Sequence, residues 1–211
     1  AKWLGDETIA FGRMGPRSDR AVCQELWELF DRADALVGHN SRRFDVKKAN
    51  ARFIKHGFQP PSPYKTIDTL TIAKGVGAFG INKLDYLSKY LGFEGKMSHE
   101  GFELWLKCMA GDKDAWERME QYNIQDVVIL EELYLALRPW DKKHPNIGLM
   151  YTEDSLDPRC VCCGSKDLEH LPGAAYTAAG VYPVCRCRSC GKPMRTRKRD
   201  KRADYLVANA Q

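Results

Sequence analysis

Apolar residues recur at helical spacing through most of this chain, and at strand spacing only in short runs within its first third. Glu7 to Gly12 alternates like a short strand. Ser18 or Asp19 can then cap a helix whose apolar positions are Val22, Leu26, Leu29 and Phe30. Ala35-Leu-Val37 reads as a second short strand ending at Gly38-His-Asn40. Asp45 opens another helix with Ala49 and Phe53 inward, stopped by Gly57 and the prolines at 60, 61 and 63. Tyr64 to Leu70 is extended before turning into helix. Leu84, Leu87 and Leu91 mark a helix ended by Gly92, Phe102 to Met109 another, and the longest periodic segment runs from about Asp114 to Leu137, before Pro139. Early strands, late helices and at least one strand-helix crossover predict an α/β or α+β domain with helices packed on a sheet.

Composition adds a second module to this picture. At 211 residues the chain can bury one full core and a small appendage, and 44% hydrophobic content supports a globular protein. No apolar run reaches the length of a membrane-spanning helix, and the start lacks the regions of a signal peptide, so the sequence predicts a soluble, cytoplasmic protein with no membrane partner. Six of the eight cysteines lie between Cys160 and Cys190, a clustering that favours metal over disulfides. Charge is uneven too. Residues 1 to 150 carry 22 Lys and Arg against 21 Asp and Glu, whereas 151 to 211 carry 11 against 7. Arg186 to Arg202 holds nine basic residues and one acid, Asp200, which suits a polyanion such as nucleic acid; a solvated terminus is the plainer alternative.

Two strings in the larger part carry chemistry. In Asn40-Ser-Arg-Arg-Phe-Asp45, the acid falls just past a strand and at the start of a helix, where a carboxylate can face a cleft. In Tyr122-Asn-Ile-Gln-Asp126, a phenol and a carboxylate one turn apart project from one helix face. Carboxylates suit hard divalent cations such as Mg²⁺ or Mn²⁺, and two such ions about 4 Å apart can drive an in-line displacement at a phosphodiester. Singly, Tyr122 reads as a core aromatic and Asp45 as a helix cap. Together, and with Leu36-Val-Gly-His-Asn40, Ile67-Asp-Thr-Leu70 and Asn82-Lys-Leu-Asp-Tyr-Leu87, they resemble the second and third motifs of the DEDDy branch of the DnaQ-like 3′-to-5′ exonucleases. The resemblance extends from about Ala1 to Trp140 and is nearest to predicted bacterial and phage exonucleases that carry a C-terminal zinc ribbon.

The resemblance implies an RNase H-like α/β fold, with Asp45 and Asp126 as Mg²⁺ or Mn²⁺ ligands and Tyr122 as the residue positioning the nucleophilic water. Asn40 lies in the connecting loop as a candidate substrate contact, and His39, close to the same place, fits a loop residue that orders the strand end, with substrate contact as the alternative. The resemblance also implies single-stranded 3′ ends of DNA or RNA as substrates. Such exonucleases also carry an Asp-x-Glu pair on a first, central strand. Here Asp6 and Glu7 are adjacent and would point to opposite faces, and the one Asp-x-Glu, Asp167-Leu-Glu169, lies among the cysteines. The expectation is a domain incomplete at its N-terminus, or a relative that no longer catalyses, nearly inactive by itself either way.

The cysteine-rich part is the more specific signal. Cys160-Val-Cys-Cys163-Gly and Cys187-Arg-Ser-Cys190-Gly form two knuckles with the spacing of a structural Zn²⁺ site, each glycine allowing the turn that aims amides at sulfur. Cys162 and Cys185 are alternative ligands or bystanders, and Cys23 and Cys108 are buried packing residues. Tyr176 and Tyr182 beside Arg186, Arg188, Lys192 and Arg195 can stack bases and neutralise phosphates; the competing reading is a surface that docks a replication or repair protein. The predicted organisation is an exonuclease domain over 1–140, a linker over 141–159, a zinc ribbon over 160–195 and a basic tail over 196–211. Gly75-Val-Gly77-Ala-Phe-Gly80 matches a dinucleotide fingerprint but follows a helix-like segment, which argues against a cofactor. Asp68 reads as the residue that holds a turn or caps a helix.

Overall fold

A computed structural model describes residues 1–13, 18–93, 101–150 and 157–202. The chain divides into two compact units, Ala1–Leu137 and Arg138–Gln211.

In the first unit, α1 (Arg20–Asp31) leads into β1 (Ala35–Gly38), α2 (Asp45–Lys55) crosses over, and β2 (Lys65–Asp68) returns parallel to β1. The register runs from Ala35 opposite Lys65 to Gly38 opposite Asp68, so both strands end side by side. Four helices follow: α3 (Thr69–Val76), α4 (Leu84–Tyr90), α5 (Phe102–Met109) and α6 (Lys113–Leu137). Local chemistry sets the boundaries. Gly57 and Gly92 adopt φ of +73° and +78° just after α2 and α4, a conformation that costs glycine nothing. The Asp112 carboxylate accepts from the Ala115 amide at 3.0 Å and so starts α6, which stops ahead of Arg138-Pro139, where proline disfavours helix in the residue before it.

The main core joins β2 to three helices through Ile67, Ile72, Ala73, Leu87, Leu133, Tyr134 and Leu137, with Ala35 and Val37 of β1 against it. Leu87 and Leu133 are fully enclosed, each worth about 1.5–3 kcal/mol of burial. A second cluster, Cys23, Ala49 and Phe53, holds α1 to α2. A third, Leu104, Cys108, Ala115 and Met119, holds α5 to the first half of α6. Helix α6 therefore serves two cores, and Tyr122 and Asp126 occupy the stretch between them. The two cysteines expected to be packing residues, Cys23 and Cys108, are both buried.

The N-terminal segment departs from the sequence reading. Glu7 to Gly12 is not a strand; only an isolated bridge joins Lys2 to Ile9. Its polar partners are on α6 instead: Lys2 pairs with Glu131, the Gly5 amide donates to the same carboxylate at 2.7 Å, and Arg13 pairs with Glu120. The segment thus runs as a strap along the helix, clamped near both ends.

The second unit is a sheet of four strands among the described residues. Here β3 (Leu168–Thr177) and β4 (Gly180–Cys187) form an antiparallel hairpin, and β5 (Pro193–Arg195) and β6 (Lys201–Arg202) pair with the other edge of β4. Charge alone suggested a basic tail from residue 196. Through Arg202 that stretch belongs to the sheet, with the Thr196 amide donating to Pro183 and the Asp200 amide to Val181, both at 2.9 Å. The rest of the tail lies outside the described residues, as do 151–156 of the expected linker. Its described part is tied to the cysteine-rich segment: Ile147 N–H donates to Val161 O at 2.8 Å, and Lys192 Nζ to Asp141 O at 2.6 Å.

Candidate active site and thiolate centre

The loop from Gly38 to Asp45 is fixed from beneath by one buried acid. Asp68, 5% exposed at the end of β2, accepts from the amides of Asn40 at 2.9 Å, Arg42 at 3.2 Å and Leu70 at 3.1 Å. It caps α3 and holds the loop after β1 with the same carboxylate, because the parallel register sets the two strand ends together. Asn40 turns the chain with φ of +63°, a conformation that asparagine tolerates better than most residues. Gly38 is needed for close approach, since a Cβ there would lie 2.3 Å from that of Ser41. The chain then enters α2, and Asp45 stands exposed in its first turn, where the helix dipole favours a carboxylate.

His39, expected beside the substrate, has both ring nitrogens inside the fold. Nε2 donates to the Asn82 carbonyl at 2.9 Å, and Nδ1 meets the Thr69 hydroxyl at 2.9 Å. The ring orders the strand end, a role the sequence also allowed. Asn40 is likewise committed at its backbone, leaving its half-buried side chain beside the loop.

Tyr122 and Asp126 share a face of α6 one turn apart, as their spacing required. Both are half-buried; Tyr122 rests against the α5–α6 cluster, and Asp126 Oδ1 is shut off from solvent. Among the described residues, neither Asp45 nor Asp126 belongs to a group of three ligand-bearing side chains within range of one metal ion. Oxygen donors suit Mg²⁺ or Mn²⁺ in kind, but two carboxylates are few for a hard cation.

Four of the cysteines do come together. Cys160, Cys163, Cys187 and Cys190 have all their sulfur atoms within 4.8 Å of one another, and the pairs 160–190 and 163–187 stand 3.6 Å apart. Tetrahedral Zn–S bonds of about 2.3 Å imply S–S edges of about 3.8 Å, so the spacing fits zinc. The knuckles match: Gly164 N–H donates to Cys160 O at 2.9 Å and Gly191 N–H to Cys187 O at 2.8 Å, with both glycines at positive φ. Burial raises the thiols of Cys160, Cys163 and Cys190. Burial opposes ionisation at Cys187 too, but the Cys190 amide, the Cys163 side chain and the Ser189 amide bring it to about 7. A divalent cation would offset the cost of ionising all four in so dry a place. Cys162 and Cys185 are buried outside this group, their thiols pushed up by desolvation, which makes them packing residues.

The basic residues of the second unit are only partly free for a ligand. Arg188 lies 3.7 Å from Asp167 and 3.6 Å from Glu169, which gives the Asp-x-Glu of this module a local electrostatic role. Arg195 sits over the Tyr182 ring at 4.1 Å, Arg186 is exposed with Nη1 3.4 Å from Gly191 O, and Tyr176 is 80% exposed.

Sequence reading gave no sign of a polar cluster between α1 and α2. The Asp19 carboxylate takes both ends of the Arg52 guanidinium and His56 Nε2 at 2.8 Å, with the Cys23 thiol at 3.6 Å. Asp19, Cys23 and His56 lie within range of a single metal ion, but Arg52 already supplies the cation. The residues are 33 and 37 positions apart, beyond any local pattern.

The first unit is thus an α/β domain with one carboxylate at a strand-to-helix junction and another on its last long helix, and a cluster of four cysteines lies in the second. The chain belongs to the RNase H superfamily: the RNase_H_2 family model matches residues 3–138. No curated protein and no solved structure matches it. Membership brings with it nuclease-type hydrolysis of nucleic acid, nucleic-acid binding and the use of divalent metals. No helix among the described residues is long and apolar enough to cross a membrane.

Proposed function

We propose that this chain is the body of a metal-dependent 3′-to-5′ exonuclease of the DEDDy type, joined to a zinc ribbon that grips the substrate strand. The observation that supports it best is an exposed Asp45 in the first turn of α2, after a loop anchored by buried Asp68, in a unit whose α6 carries Tyr122 and Asp126 one turn apart. Asp45 and Asp126 would hold Mg²⁺ or Mn²⁺, which when bound activates water and stabilises the leaving oxygen of a phosphodiester. The Tyr122 hydroxyl would orient that water, and the half-buried setting of Asp126 would limit competing solvent. Arg186, Arg188 and Arg195, with Tyr176, would track the phosphates and bases of a single strand. Zn²⁺ on Cys160, Cys163, Cys187 and Cys190 would be structural.

Two carboxylates alone should bind metal weakly, so turnover by this chain alone is expected to be slow, and further acidic residues would raise it. The same shortage favours a second reading, a nucleic-acid-binding protein without turnover. Incubating a 5′-labelled single-stranded oligonucleotide with Mn²⁺ separates them. The first reading expects slow shortening from the 3′ end, lost in Asp126→Asn and reduced about tenfold or more in Tyr122→Phe. Binding with no shortening at any enzyme concentration would leave the second, and cleavage indifferent to Asp126→Asn would defeat the first.

A further inference from the structure

Helix α5 is apolar on two faces. Leu104 and Cys108 are buried, and with Ala115 and Met119 they fix the helix to the first half of α6. Phe102, Trp105, Leu106 and Met109 fall at the i, i+3, i+4, i+7 spacing of a second stripe, and they are 72%, 53%, 48% and 70% exposed. By contrast, α1 exposes Arg20, Ala21, Glu25 and Glu28. The stripe continues beyond the helix, because Trp105 lines a cavity together with Trp116 of α6 and Phe11 of the N-terminal strap, which are exposed as well. Aromatic side chains offer about 150–250 Å² each, so the open parts of this patch reach on the order of 600 Å², the upper end of what a monomer leaves uncovered.

Charge and shape select the occupant. From Gly101 to Glu120 there are five acids and three bases, an excess that repels nucleic-acid phosphate and anionic lipid. The stripe itself is lopsided, with rings at Phe102 and Trp105 and aliphatic chains at Leu106 and Met109. A second copy of this chain, crossing antiparallel about the midpoint of Trp105 and Leu106, sets Phe102 against Met109 of that copy and Trp105 against its Leu106. Each ring then meets a pliable aliphatic chain, and the thioether gains an aromatic neighbour. An isologous contact uses the same stripe twice and would bury on the order of 1,200 Å², the lower bound for a stable specific interface. We propose that the outward face of α5 is the contact of a two-fold symmetric homodimer, with Trp116 and Phe11 at its margin. A contact this small and apolar, with a weakly acidic rim, should be of micromolar strength and should hold or tighten as salt screens the rim. It does not depend on the nuclease reading.

Sedimentation velocity of the full chain, prepared with zinc and run from about 1 to 200 μM, tests this directly. A monomer is expected at the dilute end and a dimer at the concentrated end, with dissociation at least about tenfold easier in Met109→Glu and in Phe102→Ser. Both side chains are exposed, so the variants should keep the circular dichroism of the parent. With p-benzoylphenylalanine in place of Phe102, irradiation of a mixture of isotopically light and heavy copies should join that position to the tryptic peptide Cys108 to Lys113 of the other copy. A chain that stays monomeric over the whole range overturns the proposal, and its flotation with neutral or anionic vesicles would then assign the stripe to lipid. A dimer that Met109→Glu and Phe102→Ser leave intact also overturns it, because the contact would lie elsewhere.

Discussion

At the residue scale, one acid organises the site. Replacing Asp68 by Asn keeps the shape but sets an amide group against backbone donors, leaving at least one buried N–H without an acceptor, a loss of about 1–3 kcal/mol. Amide exchange at Asn40 and Arg42 should quicken in Asp68→Asn while Leu133 stays protected; unchanged exchange at those two amides would show that the loop is held by something else. Asp19 makes a pH-dependent contribution. Hydrogen bonds first from Arg52 and then from His56 hold its carboxyl well below the usual carboxylate range. The folded-state value is depressed, so the stabilisation is fully present above the unfolded value near 4 and is lost as pH falls below it towards the depressed one. The urea midpoint of the parent should therefore fall in acid, whereas Asp19→Asn should start lower at neutral pH and fall less. The elements that carry the candidate acids were legible, because Asp45 follows a strand signal and opens α2, and Tyr122 and Asp126 are four apart within α6. Asp68 was legible as a cap but not as an anchor for the facing loop. That role depends on parallel pairing between segments about thirty residues apart, which local spacing does not encode.

At the scale of elements, the positions of the helices could be read closely from apolar spacing and from stops such as Gly57, Gly92 and Pro139, since those signals act within a few residues. The N-terminal strand could not, because alternation in Glu7 to Gly12 says nothing about Glu131 and Glu120, which draw the segment onto α6. The stretch after Arg195 shows a similar limit: its composition marks it as basic but does not show that its backbone, through Arg202, completes the edge of β4. The tight turn after β1 gives a direct test. Gly38→Ala would drive a Cβ into Ser41 at its own Cβ, which cannot swing aside as a flexible side-chain end could, and should cost about 1–3 kcal/mol in denaturant unfolding. A cost near zero would mean that the turn relaxes freely. Leu133→Ala, in the fully enclosed part of α6, should cost about 2–5 kcal/mol.

At the scale of the whole molecule, the two units draw stability from different sources. The first has apolar clusters around α6; the second has a thin sheet whose buried residues are largely cysteines. On the proposal that these four cysteines hold zinc, a chelator should therefore unfold the second unit and expose Cys160, Cys163, Cys187 and Cys190 to thiol reagents, with Cys23 and Cys108 still protected. Simultaneous exposure of Cys23 would show that the first unit depends on the metal as well. Everything proposed about catalysis comes back to whether Asp45 and Asp126, on separate elements, act on one ion. Mn²⁺ binding followed by electron paramagnetic resonance, with zinc already in place, measures this without requiring turnover. The expected result is a weak Mn²⁺ site in the parent chain whose affinity falls at least about tenfold in Asp45→Asn and in Asp126→Asn alike. Equal Mn²⁺ binding by the parent and both variants would contradict it.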